Sequence, residues 1–183
     1  MYYPQSETVV LSRECAAVII PAGEAVTLPE GTSGYLTQSL GGSFTVYIEG
    51  NLFRIAGADA DAIGKEPIKP PDVPPDATEE ELESVIWQQM RMCYDPEIPI
   101  NIVDLGLIYR CEIECNDAGQ RIVTVDMTLT APGCGMGEIL MEDVREKIEI
   151  VPTIERAEVE LVFDPPWNQS MMSEEARLEA GLL

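Results

Sequence analysis

The chain is 183 residues long, with 11 Lys and Arg against 33 Asp and Glu for a formal charge of -22, five cysteines and no histidine. That acidity repels a phosphate backbone or an anionic bilayer, which argues against nucleic acid and membrane surfaces as partners. Without imidazole, Ser-His-Asp and Cys-His catalysis and all histidine-containing metal sites are excluded, so any metal is held by sulfur or oxygen.

The opening MYYPQSETVV lacks the basic and apolar stretches of a secretory leader, and no apolar run is long enough to span a bilayer. The odd cysteine set, Cys15, Cys93, Cys111, Cys115 and Cys134, does not make a secreted disulfide framework. A cytoplasmic protein with reduced thiols is expected. Residues 1–65 read as a small β-rich module. Ala16 to Ile20 is a short apolar strand, and Pro29 to Gly34 is dense in turn formers. Ser43 to Glu49 alternates Phe44, Val46 and Ile48, and Gly50-Asn51 reads as a two-residue turn into Leu52 to Ala56. Gly41-Gly42 lacks the lysine-serine pair of a phosphate cradle and is expected to be a bend between strands. No chemistry is assigned to this module.

Residues 66–76 are rich in proline, at positions 67, 70, 71, 74 and 75. Over Lys65 to Asp76, polyproline geometry would make a semi-rigid spacer of up to about 37 Å at about 3.1 Å per residue, and a Pro-rich ligand for an aromatic groove is the rarer alternative. The second domain is then 77–183.

There, Thr78-Glu-Glu-Glu81 is a capping box that starts a helix running to about Met92. Leu82, Val85, Ile86, Gln89 or Met90, and Cys93 follow its buried stripe, so Cys93 is expected to pack. In Tyr94-Asp-Pro-Glu97-Ile-Pro99 two prolines stiffen a loop bearing Asp95 and Glu97. Such a carboxylate pair is more often solvated or capping than an acid-base or cation site. Leu107 to Cys115 is a strand with Tyr109, Cys111, Ile113 and Cys115 on one face. Residues four apart on a strand are about 13 Å apart, so Cys111 and Cys115 do not share an ion that binds sulfur at about 2.3 Å. Cys111 is read as core and Cys115 as strand-end filler, with Asn116 to Gly119 the turn that follows.

Arg121 to Thr130 places Val123, Val125, Met127 and Leu129 on one face. It leads into Thr130-Ala-Pro-Gly-Cys134-Gly-Met-Gly137 and a helix from Glu138 to Ile150. A cysteine at a helix start meets unpaired N–H groups and the positive dipole end, which favour thiolate; the ordinary fate of a cysteine in a turn is a small buried residue. On the helix, Ile139, Leu140, Val144, Lys147 and Ile148 share a face, with Lys147 expected to snorkel. Ala157 to Phe163 is a third strand with Val159, Leu161 and Phe163 inward, parallel to the second through a right-handed crossover. Ser173 caps a short final helix, and Trp167, Met171 and Met172 are packing anchors. The fold class is α+β: a β-rich module, then an α/β domain of order α-β-β-α-β with a short C-terminal helix.

Several of these segments, in order, resemble the SufT and PaaD domain family: Tyr94-Asp-Pro-Glu97, Val103-Asp104-Leu105-Gly106-Leu107-Ile108, Thr130-Ala-Pro-Gly-Cys134, and Phe163-Asp-Pro-Pro-Trp167 with Met171-Met172-Ser173. Gln38 to Gly42 and Gly57 to Gly64 look like the N-terminal extension of SufT-type members. The resemblance covers about 100 residues and rests on separate motifs rather than on one. It implies an accessory factor, not an enzyme, in iron-sulfur cluster assembly. Cys134 would be the metal ligand, with Asp95, Glu97, Asp104 and Thr130 lining the same region. Many relatives carry proline after this cysteine; here Gly135 follows, which leaves an extra N–H near the sulfur.

A stable cluster needs about four thiolates, and this loop has one, so the implied cluster is transient and shared between chains, as in a homodimer, with the assembly proteins and client apoproteins as partners. Two other readings stay open. One is a cluster-free adaptor that docks assembly machinery to clients. The other is a thiol enzyme with Cys134 as nucleophile and Asp95 or Glu97 as base, which needs unusual tuning of those carboxylates.

Overall fold

The computed structural model describes residues 7–95, 98–133 and 135–182. They form two compact units that part between Lys69 and Pro70. No helix among the described residues is long and apolar enough to cross a membrane.

The first unit is a six-stranded antiparallel sheet. Its strands are β1 (Glu7–Val10), β2 (Cys15–Ile20), β3 (Glu24–Leu28), β4 (Ser33–Leu40), β5 (Ser43–Ile48) and β6 (Asn51–Ile55), arranged β1-β4-β5-β6-β2-β3. Period-two alternation sets the core face, and on β5 Phe44, Val46 and Ile48 are all buried. Gly41 and Gly42, both at positive φ, make the tight β4–β5 hairpin, so the glycine pair is a bend, as its context indicates.

The next hairpin differs from expectation by one residue: Glu49 and Gly50 are the turn, and Asn51 already pairs with Ile48. This register sets Phe44 opposite Ile55 and Val46 opposite Phe53. Moving the turn by one would set Phe44 opposite Gly57 instead and lose that apolar pair. Strand β4 also begins inside the stretch read as turn. Gly34 belongs to the sheet because a Cβ there would lie 2.7 Å from the Tyr47 carbonyl oxygen. The Pro-rich segment is divided between the units, with Ile68 against Gly42 and Gly57 and Val73 against the core of the second unit.

The second unit runs α1 (Glu79–Met90), β7 (Ile108–Cys115), β8 (Arg121–Met127), α2 (Gly137–Glu149), β9 (Ile154–Leu161) and α3 (Glu174–Glu179). The order α-β-β-α-β with a final helix is the expected one. Thr78 closes a reciprocal capping box, its hydroxyl accepting the Glu81 N–H at 3.3 Å while its own N–H donates to Glu81 Oε2 at 2.8 Å. The sheet order is β7-β8-β9, antiparallel then parallel. Val123, Val125 and Met127 on the central strand are fully buried, in one core with Leu82, Ile86 and Met90 of α1 and Val144 and Ile148 of α2.

Two side chains depart from their expected settings. Lys147 does not snorkel: it is 4% exposed, and its ammonium donates to Asp143 Oδ1 at 2.9 Å one turn back. Its face of α2 lies against packed neighbours, and the carboxylate supplies locally the charge compensation that water would otherwise give. Phe163 does not point into the core but is 48% exposed. Val162 still donates to the Met127 carbonyl, yet β8 ends at Met127, so no strand backs the chain two residues beyond Leu161.

Removing Asp143 leaves a buried ammonium without its carboxylate. Asp143→Ala is expected to cost about 3 kcal/mol, and the double change Asp143→Leu with Lys147→Met to recover most of it. Urea unfolding with an unchanged m-value checks both; equal midpoints for parent and Asp143→Ala would contradict the pairing.

Candidate functional site

At one end of β8 the chain turns through Thr128 to Met136 into α2. Leu129 and Met136 are buried and anchor the two sides of this turn, whereas Pro132, Gly133 and Gly135 are exposed. Strand end and helix start approach so closely that a Cβ on Gly137 would stand 2.9 Å from Leu129 Cδ1. Gly133 holds φ at 81°, where only glycine rests without cost. No side chain caps α2, since Met136 occupies the N-cap position. Cys134 itself, the expected metal ligand, lies outside the described residues, as does Glu97.

A second loop meets this turn. Tyr94 and Asn101 form an antiparallel bridge, and the Ile102 N–H donates to the Cys93 carbonyl at 2.9 Å. Inside the loop Asp95 is 6% exposed. Its Oδ1 accepts the Ile98 N–H at 2.9 Å, and its Oδ2 accepts the Thr130 hydroxyl at 3.3 Å. One buried carboxylate thus ties the loop after α1 to the end of β8. The structure brings Asp95 and Thr130 together.

Asp104 makes its hydrogen bonds elsewhere. Its Oδ2 accepts from Asn101 Nδ2 at 2.6 Å, and its backbone N–H donates to Asn101 Oδ1 at 2.9 Å. The Asp104 carbonyl accepts the Ser173 N–H at 2.8 Å, and the neighbouring Leu105 carbonyl accepts Trp167 Nε1 at 2.7 Å. This tight turn is closed by Gly106 at a φ of 74°, where a Cβ would collide with the Met171 backbone. Trp167 and Met172 pack on the core, as expected of anchors. Asn101 was not singled out by the sequence, although Asn-x-x-Asp is the spacing of a side chain that caps its own turn. Thr128 is a second residue without advance notice: it is 1% exposed, and its hydroxyl has no hydrogen-bond partner among the described residues.

The other thiols are placed away from this turn or buried. Cys93 is fully buried. Cys111 is half-buried on β7, and burial, with Glu83 and Glu112 adding to it, pushes its thiol up to about 11. Cys115 is exposed and pairs with Arg121 at the far end of β8, about 20 Å from Met127 at about 3.3 Å per residue. In the first unit Cys15 is buried and its pKa is raised, chiefly by burial. No group of three or more Cys, Asp or Glu able to hold a metal ion occurs among the described residues.

Against this geometry stand three comparisons with characterised sequences. Residues 83–161 match the family described as iron-sulfur cluster assembly protein. The chain is 47% identical over 103 residues to an Fe-S protein maturation auxiliary factor of Porphyromonas gingivalis, covering 56% of this chain and 94% of that one. It is 42% identical over 91 residues to the Fe-S protein maturation auxiliary factor SufT of Staphylococcus aureus, covering 50% and 99%. To the auxiliary factor YitW of Bacillus subtilis it is 33% identical over 104 residues, covering 57% and 98%. Through its second unit this chain belongs to the iron-sulfur cluster assembly protein family, and its role lies in iron-sulfur cluster assembly.

Proposed function

We propose that the chain is a non-enzymatic accessory factor that holds a labile iron-sulfur cluster through Cys134 and hands it to client apoproteins. The observation that supports this is the distribution of thiols in a family member without histidine. Cys93 is buried, Cys111 is held protonated, and Cys115 sits at the opposite end of the sheet. Soft thiolates are the ligands that iron-sulfur clusters take, and about four are needed. Cys134 is then one ligand of a set completed by a second copy of this chain, by small thiols or by the client.

Incomplete ligation from one chain is what a carrier requires. Transfer is ligand exchange at iron: a client thiolate forms an iron–sulfur bond, the bond to Cys134 breaks, and Cys134 leaves as thiolate. Neither iron nor sulfide changes oxidation state. Thiols must stay reduced for this, which fits the cytoplasm. Asp95 and Thr130 hold the loop after α1 against the turn that carries Cys134, and Asp104 braces the turn after that loop through Asn101. Oxygen donors are poor substitutes for the missing thiolates, so these side chains position and do not bind iron.

Anaerobic reconstitution of the full chain with iron and sulfide is expected to give thiolate-to-iron charge-transfer absorption in the parent and none in Cys134→Ala. Identical spectra would contradict the assignment, and a parent that binds a client without iron would favour a cluster-free adaptor. The positioning role is tested by hydrogen exchange. Asp95→Ala is expected to speed exchange of the Ile98 amide about tenfold, the counterpart of about 1.4 kcal/mol for a lost charge-assisted hydrogen bond. Thr130→Val is expected to leave that amide protected while loosening the turn at residues 130–133.

A further inference from the structure

The three-stranded sheet of the second unit has helices on one face only, and its other face carries a cavity of about 620 Å³ that the cluster reading does not use. Its making is local. A register irregularity between Ile108 and Arg110 interrupts the β7–β8 ladder beside Tyr109, and the Tyr109 hydroxyl donates to the Pro165 carbonyl at 2.8 Å. The same hydroxyl lies 3.5 Å from Met171 Sδ. The segment after β9 is thereby pinned across the end of the sheet as a wall.

The lining divides by chemistry. Ile108, Val162 and Met171 are apolar. On the floor, Arg110 donates to Asp126 Oδ2 at 2.8 Å and to Glu112 Oε2 at 3.1 Å, so its positive charge is already matched. Asp164, at the rim, has no hydrogen-bond or ion-pair partner among the described residues. Beside the cavity on the same sheet face, the register adds Glu160, together with Glu112 and Glu158, which are paired to Arg110 and Arg156. A hydrocarbon wall ending in an uncompensated carboxylate is complementary to a cationic side chain with an aliphatic stem. The depression is open to solvent, and its volume of about 620 Å³ leaves room for a side chain with its flanking backbone.

We propose that this cavity receives a lysine or arginine side chain from a basic segment of a partner protein. The stem lies against Ile108, Val162 and Met171, the cation faces Asp164, and the acidic sheet face holds the residues that flank it. No described residue of the turn at 128–136 lines this cavity, so the proposed site gives the chain a way to hold a partner that does not draw on the cluster.

The test is a titration of the full-length, isotope-labelled chain, followed by its amide and methyl resonances. The probe is the tripeptide acetyl-Leu-Lys-Leu-amide, compared with its norleucine analogue and with the free diamine cadaverine. The lysine peptide is expected to shift Ile108, Tyr109, Val162 and Met171 saturably. The norleucine analogue and cadaverine should bind at least about fivefold more weakly, and rising salt should weaken the lysine peptide. Asp164→Asn should lower its affinity by a similar factor with the rest of the spectrum unchanged, and Cys134→Ala should not affect it. Equal binding of the norleucine peptide would show a merely apolar groove. Equal binding of cadaverine would assign the cavity to a free amine. Shifts spread over α1 and α2 and unchanged by Asp164→Asn would show unspecific attraction to an acidic protein. Each of these, like the absence of any shift at millimolar probe, overturns the proposal, and none of them touches the cluster reading.

Discussion

The second unit depends on one strand. β8 is paired on both sides, and Val123, Val125 and Met127 on its inner face are fully buried beneath α1 and α2. Leu129 continues that row past the last ladder pair and meets Gly137 at a distance that admits no side chain. The turn between them cannot drift without opening the core, because both of its anchors, Leu129 and Met136, belong to buried rows or pockets. The exposed Gly133 and Gly135 thus sit in a turn whose two sides are anchored in the core.

Electrostatics on either side of this strand differ in kind. On the helical side the buried ion pair of Asp143 and Lys147 is satisfied within one helical turn. On the open side, charges are exposed and largely acidic, and Arg110 and Arg156 are each occupied by neighbouring carboxylates. Exposed pairs of that type add little stability, so the open face is not explained by folding. Its charge, and the cavity at its end, are better understood as features for meeting another molecule. In the proposed function the turn at the strand end is assigned to cargo, and the cavity on the open face is proposed for a partner.

Much of this was legible before the structure. Alternation marked β5 and β8 because each has one buried face, and β7 because its inward residues are half-buried, and the capping box and Ser173 marked two helix starts because their hydrogen bonds are local. The resemblance named Asp95 and Thr130 among one region's residues, and the structure joins them by a hydrogen bond across 35 positions. What was hidden depends on long-range context. β1, β3 and β4 have weak alternation, and Gly34 resembles a turn residue until the neighbouring strand shows why a side chain cannot fit. Lys147 looks like a surface residue from its own helix alone, and only its packed surroundings make Asp143 its necessary partner. Phe163 keeps the period of an inward residue past the point where its partner strand has stopped. The hairpin at Glu49 and Gly50 is one residue early because cross-strand pairing, and not turn propensity, chose the register.

The central claim is that one thiolate per chain makes the cluster a shared and transferable cargo. Native mass spectrometry of the anaerobically reconstituted full-length protein tests it most directly. The account predicts cluster mass on a species containing two chains, or one chain with small thiols, that returns to bare monomer when a thiol-bearing acceptor is added. A cluster retained on a single chain without added thiols, and not released to that acceptor, would contradict it.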